Sequence, residues 1–253
     1  MKIVFLGTGT SQGVPAIACG CEVCMSKDPK DNRTRSSVLI KTNSENLVID
    51  TGPDFRQQVL REKLKSLSAV IYTHEHRDHV AGLDDIRPFN YIQKSPIDVY
   101  GEERVKKTLH KEFEYIFAER KYPGIPQVNF HLIKNHPFRV KKTEVIPIRV
   151  QHYRLPVFGY RIGEFTYITD ANYIAEEEKE KMYGTKYLVV NGLRQKKHMS
   201  HFSLAEAIAL INEISPKRAY ITHISHHMGL HDEVQKKLPY NVQLAYDGLS
   251  IDI

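Results

Sequence analysis

The stretch His74-Glu75-His76-Arg77-Asp78-His79 places three histidines and an aspartate within six positions, directly after the apolar run Ala69-Val70-Ile71-Tyr72-Thr73. Such a run suits neither a core nor a solvated face, but it suits a metal ion. The preceding β-branched and aromatic run reads as a buried strand. In an extended chain, residues two apart point the same way, so His74 and His76 share one cation. Asp78 and His79, further round the following turn, face a second. Imidazole and carboxylate donors fit Zn, Mn or Fe and do not choose among them.

Four more donors stand where hydrophobic runs end: Asp50 after Leu47-Val48-Ile49, His152 after Ile148–Gln151, Asp170 after Phe165–Thr169, and His223 after Ala219–Thr222. A single polar residue at a strand end is ordinarily a turn residue. Several in one chain, beside the six-residue cluster, predict a rim onto which folding gathers a two-metal site. A second set of donors is Cys19-Gly20-Cys21-Glu22-Val23-Cys24, which holds all three cysteines of the chain. Three thiolates at this spacing suit a closed tetrahedral zinc site completed by one distant ligand. The Ser225-His226-His227 stretch is the natural source.

The elements that must position these residues alternate along the chain. Strands are expected at Lys2–Leu6, Ser37–Thr42, Leu47–Asp50, Ala69–Thr73, Ile97–Tyr100 and Asn129–Ile133. Others follow at Glu144–Val150, Phe158–Ile162, Phe165–Thr169, Tyr187–Asn191 and Arg218–Thr222, with a last pair within Gln243–Ile253. Pro53 reads as the first residue of a helix to Leu64, Glu102–Glu119 as an amphipathic helix, and Ser203-Leu204-Ala205-Glu206 as a capping box opening a helix to Ile214. This mixture predicts an α+β domain spanning residues 1–253, with a lid insertion at about 84–128.

With 253 residues, 41% apolar content and a net charge of +6 spread along the chain, the composition is that of a globular protein that tolerates an anionic substrate. Nucleic acid is not expected, because the basic residues form no patch. Met1–Leu6 is too short for the apolar core of a secretory signal and breaks at Gly7, and no apolar run reaches membrane-spanning length. A cytoplasmic location without membrane attachment is expected, and a homodimer is left open.

Thr73-His74-Glu75-His76-Arg77-Asp78-His79 resembles the T-H-x-H-x-D-H signature of the metallo-β-lactamase superfamily, and Asp50, His152, Asp170 and His223 follow in that family's order. The resemblance implies a four-layer αββα sandwich with metals at one edge. His74, His76 and His152 would hold the first ion, Asp78, His79 and His223 the second, and Asp170 would bridge them. Asp50 would orient ligands or the attacking water, and Asp78 and Asp50 count with His201 as catalytic. Gly7-Thr8-Gly9-Thr10-Ser11-Gln12-Gly13-Val14-Pro15 and Gly82-Leu83-Asp84-Asp85-Ile86-Arg87-Pro88 are similar to the phosphodiesterase branch, above all to phosphoribosyl 1,2-cyclic phosphate phosphodiesterases. That branch implies a structural zinc on Cys19, Cys21, Cys24 and His226, with His227 and His231 as alternatives.

The reaction so implied is phosphodiester hydrolysis by a hydroxide bridging two divalent ions, Zn or Mn, on a small phosphorylated, cyclic or nucleotide-like substrate. His201 is the candidate general acid, from its setting just ahead of the capped helix and its similarity to phosphate-contacting histidines in related enzymes. Arg87 and His198 are candidate substrate contacts, although Arg87 also suits an ion pair with Asp84 or Asp85, and His198 a solvated basic run. Competing readings are a transfer-RNA 3′ processing endonuclease, a thioester or lactone hydrolase, and a metal-binding scaffold without activity.

Overall fold

A computed structural model describes residues 1–120 and 122–253. The chain opens with β1 (Lys2–Gly7), β2 (Ser37–Lys41), β3 (Asn46–Ile49), β4 (Ala69–Ile71), β5 (Ile97–Gly101) and β6 (Val128–Leu132). There follow β7 (Phe138–Val140), β8 (Thr143–His152), β9 (Leu155–Ile162), β10 (Phe165–Ile168), β11 (Tyr173–Ile174), β12 (Tyr187–Asn191), β13 (Arg218–Thr222), β14 (Val242–Leu244) and β15 (Ser250–Asp252). One sheet runs β15-β1-β2-β3-β4-β5-β6; the other runs β11-β8-β9-β10-β12-β13-β14, with β7 paired to β8.

Alternation along the strands explains the layering. Ile3, Phe5, Ile49 and Ile71 face Phe158, Tyr160, Tyr167 and Val189 across a shared inner core. Their neighbours Val4, Leu6, Val48 and Val70 turn outward under a helical layer carrying Phe55, Ile86, Val105 and Leu109. On the far side Leu188, Val190 and Ile221 pack beneath Leu204, Ala207, Leu210 and Ile211 of the helix Leu204–Ile214. Both strand faces are therefore buried, and the strands read as continuous apolar runs. The result is the expected four-layer α+β sandwich, αββα.

Strand direction decides where the polar residues collect. β3 and β4 are parallel with Ile49 opposite Ile71, so Asp50 lies beside the chain entering the histidine cluster. β10, β12 and β13 are parallel, with Ile168 level with Val190 and Val190 with Ile221, so Asp170 and His223 emerge together. β8 and β10 are both antiparallel to β9, so they run the same way and His152 emerges on that edge too.

Three expectations need correction. The first helix spans Phe55–Arg61, not Pro53–Leu64: Pro53 lies outside it, and Asp54 at its N-cap turns its carboxylate to Arg35 rather than to the helix. The helix expected over Glu102–Glu119 is two, Glu103–Glu112 and Glu114–Phe117. Phe113 leaves helical dihedrals (φ −123°, ψ 44°) while its ring joins Leu109 and Ile116 in the core. Most of 84–128 is not a lid, because β5 lies within the first sheet between β4 and β6 and the helix Glu103–Glu112 covers its outer face. The apolar content that marked no strand beyond β5 was that of a covering layer.

Candidate metal centre

The short helix Arg77–Val80 begins directly after His76, which ends the extended chain at φ −64°, ψ 145°. Close backbone approach under this turn requires glycine. A Cβ on Gly52 would sit 2.2 Å from the Asp78 carbonyl oxygen, and one on Gly82 2.2 Å from that of Gly52. Asp50, Asp170 and His223 adopt φ of 63°, 53° and 55°, a left-handed conformation that costs energy in non-glycine residues and persists where surrounding structure enforces it.

Hydrogen bonds orient the imidazoles. Thr73 donates to Asp50 through its amide and its hydroxyl, both at 2.8 Å, and its hydroxyl lies 3.0 Å from His74 Nδ1. With Nδ1 thus donating, His74 Nε2 is left to face His76 Nδ1 at 3.0 Å. His152 Nδ1 donates to the Ser200 carbonyl at 2.9 Å, which leaves its Nε2 free. His79 Nδ1 lies 2.7 Å from Asp50 Oδ2, so His79 Nε2 turns towards Asp78 Oδ2 at 3.1 Å and Asp170 Oδ2 at 3.2 Å. Donor atoms of His74, His76 and His152 lie within 4.8 Å of one another, as do those of Asp78, His79 and His223. Asp170 stands between the groups, with a carboxylate oxygen within 4.8 Å of donor atoms of His74 and His79 and one within 4.8 Å of those of His152 and His201; Oδ2 lies 3.2 Å from His79 Nε2, and Oδ1 3.2 Å from His223 Nε2 and 3.0 Å from His201 Nε2.

These donors fit metal better than one another. His79 Nε2 and both ring nitrogens of His223 are buried without a hydrogen-bond partner, although carboxylate oxygens lie close by. Atoms that near but misaligned for a hydrogen bond suit a shared third atom. Burial opposes charge on His79, yet Asp78, Asp170 and Asp50 outweigh it and hold its pKa well above the usual histidine value. Burial likewise opposes charge on Asp170, but His223 and His79 keep its pKa well below the ordinary carboxylate range. The cluster is a well for positive charge.

Asp50 is completely buried, so it touches no substrate. Its contacts are those of the orienting role expected for it among the catalytic residues: it fixes Thr73 and His79. His201 and His198 both reach the rim. His201 Nδ1 lies 2.9 Å from Ser200 Oγ and 3.3 Å from His198 Nδ1, so His198 belongs to this wall rather than to a solvated run. Burial pushes His201 down to about 4, against the opposing pull of Asp170. Arg87 is not brought here: it donates to the Gly124 carbonyl at 3.3 Å and stands 4.0 Å from Asp84, the ion pair that its sequence also allowed.

The cysteine loop folds onto the turn that follows His223. Cys19, Cys21 and Cys24 place their sulfurs 3.3, 3.3 and 3.5 Å from His226 Nδ1, and all four donor atoms lie within 4.8 Å of each other. His227 is exposed, and His231 Nδ1 instead accepts from the buried Arg33 at 3.0 Å. The Gly7–Pro15 loop ties the two sites together: Thr10 N donates to Ile224 O, and Ile224 N to Thr8 O.

Two clefts flank the wall His198–His201. A polar one of about 230 Å³ is lined by Thr10, Gln12, Arg194, His198 and His201 among others. A larger, more apolar one of about 470 Å³ is lined by His76, His152, Tyr153, Arg154, Leu155, Met199 and Ser200. Sequence reading found His76 and His152 of the second but missed the rest of its lining, because Tyr153, Arg154, Leu155, Met199 and Ser200 carry no motif. Their one signal is the Tyr153-Arg154 pair immediately after a strand-end histidine.

Residues 45–224 match the beta-lactamase superfamily domain. The chain belongs to the metallo-β-lactamase superfamily. Within that family it is similar to a crystal structure of a diphosphatase from the PhnP family, with 38% identity and a TM-score of 0.93 over 99% of this chain and 96% of that one. This agrees with the phosphodiesterase branch to which Gly7–Pro15 and Gly82–Pro88 pointed. An octanoyltransferase of Porphyromonas gingivalis is 42% identical over 98% of this chain and 51% of its own length. A ribonuclease Z of Methanosarcina mazei is 28% identical over 65% of this chain and 48% of its own. The chain thus spans about half the length of the curated relatives it matches.

Proposed function

We propose that the protein is a dinuclear metal-dependent phosphodiesterase acting on a small cyclic or nucleotide-like phosphodiester. The observation that carries this reading is Asp170, which lies within ligand reach of His74 and His79 and also of His152 and His201, with buried histidine nitrogens left unpaired around it. His74, His76 and His152 would hold one ion, Asp78, His79 and His223 the other, and Asp170 both. Two divalent ions, Zn or Mn, supply a water acidified for attack at neutral pH and positive charge for the phosphoryl oxygens.

The chain's own residues do the rest. Asp50 and Thr73 lock the tautomers of His79 and His74, so that the donors are set before substrate arrives. Ser200 fixes His152 through its carbonyl and touches His201 through its hydroxyl. His201, whose Nε2 lies on Asp170 Oδ1, would protonate the departing alkoxide once the anionic substrate beside it offsets the burial that lowers its pKa. Cys19, Cys21, Cys24 and His226 would take a structural zinc, since four protein donors leave no position for water. Arg194 and His198, on the polar cleft, favour an anionic substrate.

The test is bis-para-nitrophenyl phosphate turnover together with metal analysis. Expected are about three metals per chain and activity abolished by a chelator and restored by Zn or Mn. Full activity after complete removal of metal would refute the reading. The similarity to ribonuclease Z favours a second reading, transfer-RNA 3′ processing, and the octanoyltransferase relative keeps acyl thioester hydrolysis in view. Cleavage of a precursor transfer RNA or an acyl thioester, in preference to any small phosphodiester, would select one of these.

A further inference from the structure

Tyr153 and Arg154 form a two-residue hairpin loop between β8 and β9, closed by the pair His152–Leu155. Tyr153 takes φ 58°, at a position where tight hairpins favour glycine or asparagine. A bulky residue there is unusual, and such residues concentrate at functional sites. The loop is held in place: Tyr153 N donates to Asn172 Oδ1 at 2.6 Å, and Asn172 N to the Gln151 carbonyl. Tyr153 is 49% exposed, and the Arg154 guanidinium carbon lies 5.3 Å from its ring centroid. Met199, also in the lining, is exposed too. His76 and His152, two of the three donors of the first group, form the inner wall.

A strained but pinned aromatic ring, a cation beside it and a thioether in the same lining make a surface suited to stacking, next to His76 and His152. The cleft of about 470 Å³ falls in the range of roughly 300–1,000 Å³ common to small-ligand sites. Planar bases stack on tyrosine and on guanidinium groups with little regard to sequence. We propose that this cleft seats the base of a nucleoside phosphoester, stacked on Tyr153 beside Arg154 and against Met199. The substrate class is then nucleoside phosphodiesters rather than bare phosphosugars. The inference rests on the phosphodiesterase reading of the same site and names its substrate.

The test measures binding and turnover on metal-loaded protein. By calorimetry, wild type is expected to bind adenosine 5′-monophosphate at least about tenfold more tightly than ribose 5-phosphate, the scale of one base–aromatic stack. Tyr153→Ala and Met199→Ala should each shrink that ratio, and Tyr153→Phe should keep it. In turnover, thymidine 5′-para-nitrophenyl phosphate should exceed methyl para-nitrophenyl phosphate in kcat/KM by a similar factor, mainly through KM. Equal wild-type binding of the two monophosphates overturns the proposal, as does a preference that survives both alanine variants. Hydrolysis of neither ester, with the binding preference intact, supports the base cleft and sinks the phosphodiesterase reading instead.

Discussion

Asp50→Asn isolates the second layer of the metal centre. The side chain keeps its volume, and one oxygen can still accept from the Thr73 amide at 2.8 Å. The other oxygen now receives both the Thr73 hydroxyl at 2.8 Å and His79 Nδ1 at 2.7 Å, in a fully buried position. An amide nitrogen placed there meets a donor with a donor, and the carboxylate charge is gone. Loss of one hydrogen bond to a charged group costs about 1.5–3 kcal/mol. At about 1.4 kcal/mol per tenfold, that is roughly 10- to 100-fold in metal affinity, the range seen for residues behind metal ligands. The loss should fall on the ion held by Asp78, His79 and His223. Competition with a graded chelator series, with metal content read per chain, measures it. The reasoning fails if Asp50→Asn binds both ions with wild-type affinity, or if the ion facing His74, His76 and His152 is weakened instead.

Three further outcomes follow from the same geometry. His201→Ala should keep both active-site metals and lose about 10²- to 10⁴-fold in kcat, the usual contribution of a general acid; metal loss or an unchanged rate refutes the assignment. Cys24→Ser should lower metal content by one per chain and reduce Tm, with the active-site ions retained, as inductively coupled plasma analysis and a melting scan would show. Burial and the adjacent Arg33 hold His231 down to about 4, against an ordinary value of 6.5. The unfolded chain therefore takes up this proton first, and stability should fall as pH drops from about 6.5 to about 4. His231→Gln should remove part of that slope in urea titrations; an identical slope in the variant counts against the Arg33–His231 contact.

Much of the site was legible in the sequence because metal ligation constrains residue type and short-range spacing together. His74, His76, Asp78 and His79 are neighbours in the chain, so their grouping needs only the local turn. Asp50, His152, Asp170 and His223 were recognisable as polar ends of apolar runs, because a strand built into the core must change character where it leaves the sheet. Arg87 and the expected lid misled for the opposite reason. Their sequences allow several partners, and the choice between substrate, ion pair and covering layer depends on residues far away in the chain.

Residue type and order by themselves determined the donor sets, the strand-rich layered fold and the capped helix at Ser203. Only the tertiary structure decided which histidine completes the cysteine cluster. His226, His227 and His231 differ little in sequence setting, and a turn of three residues sends one to the thiols, one to solvent and one to Arg33. It also decided which ligand Asp50 orients, His79, and that Tyr153 and Arg154 open a cleft against His76 and His152. The physical reason is range. A donor's chemistry is carried by one side chain, whereas its role depends on which backbone directions the two sheets bring to a common edge.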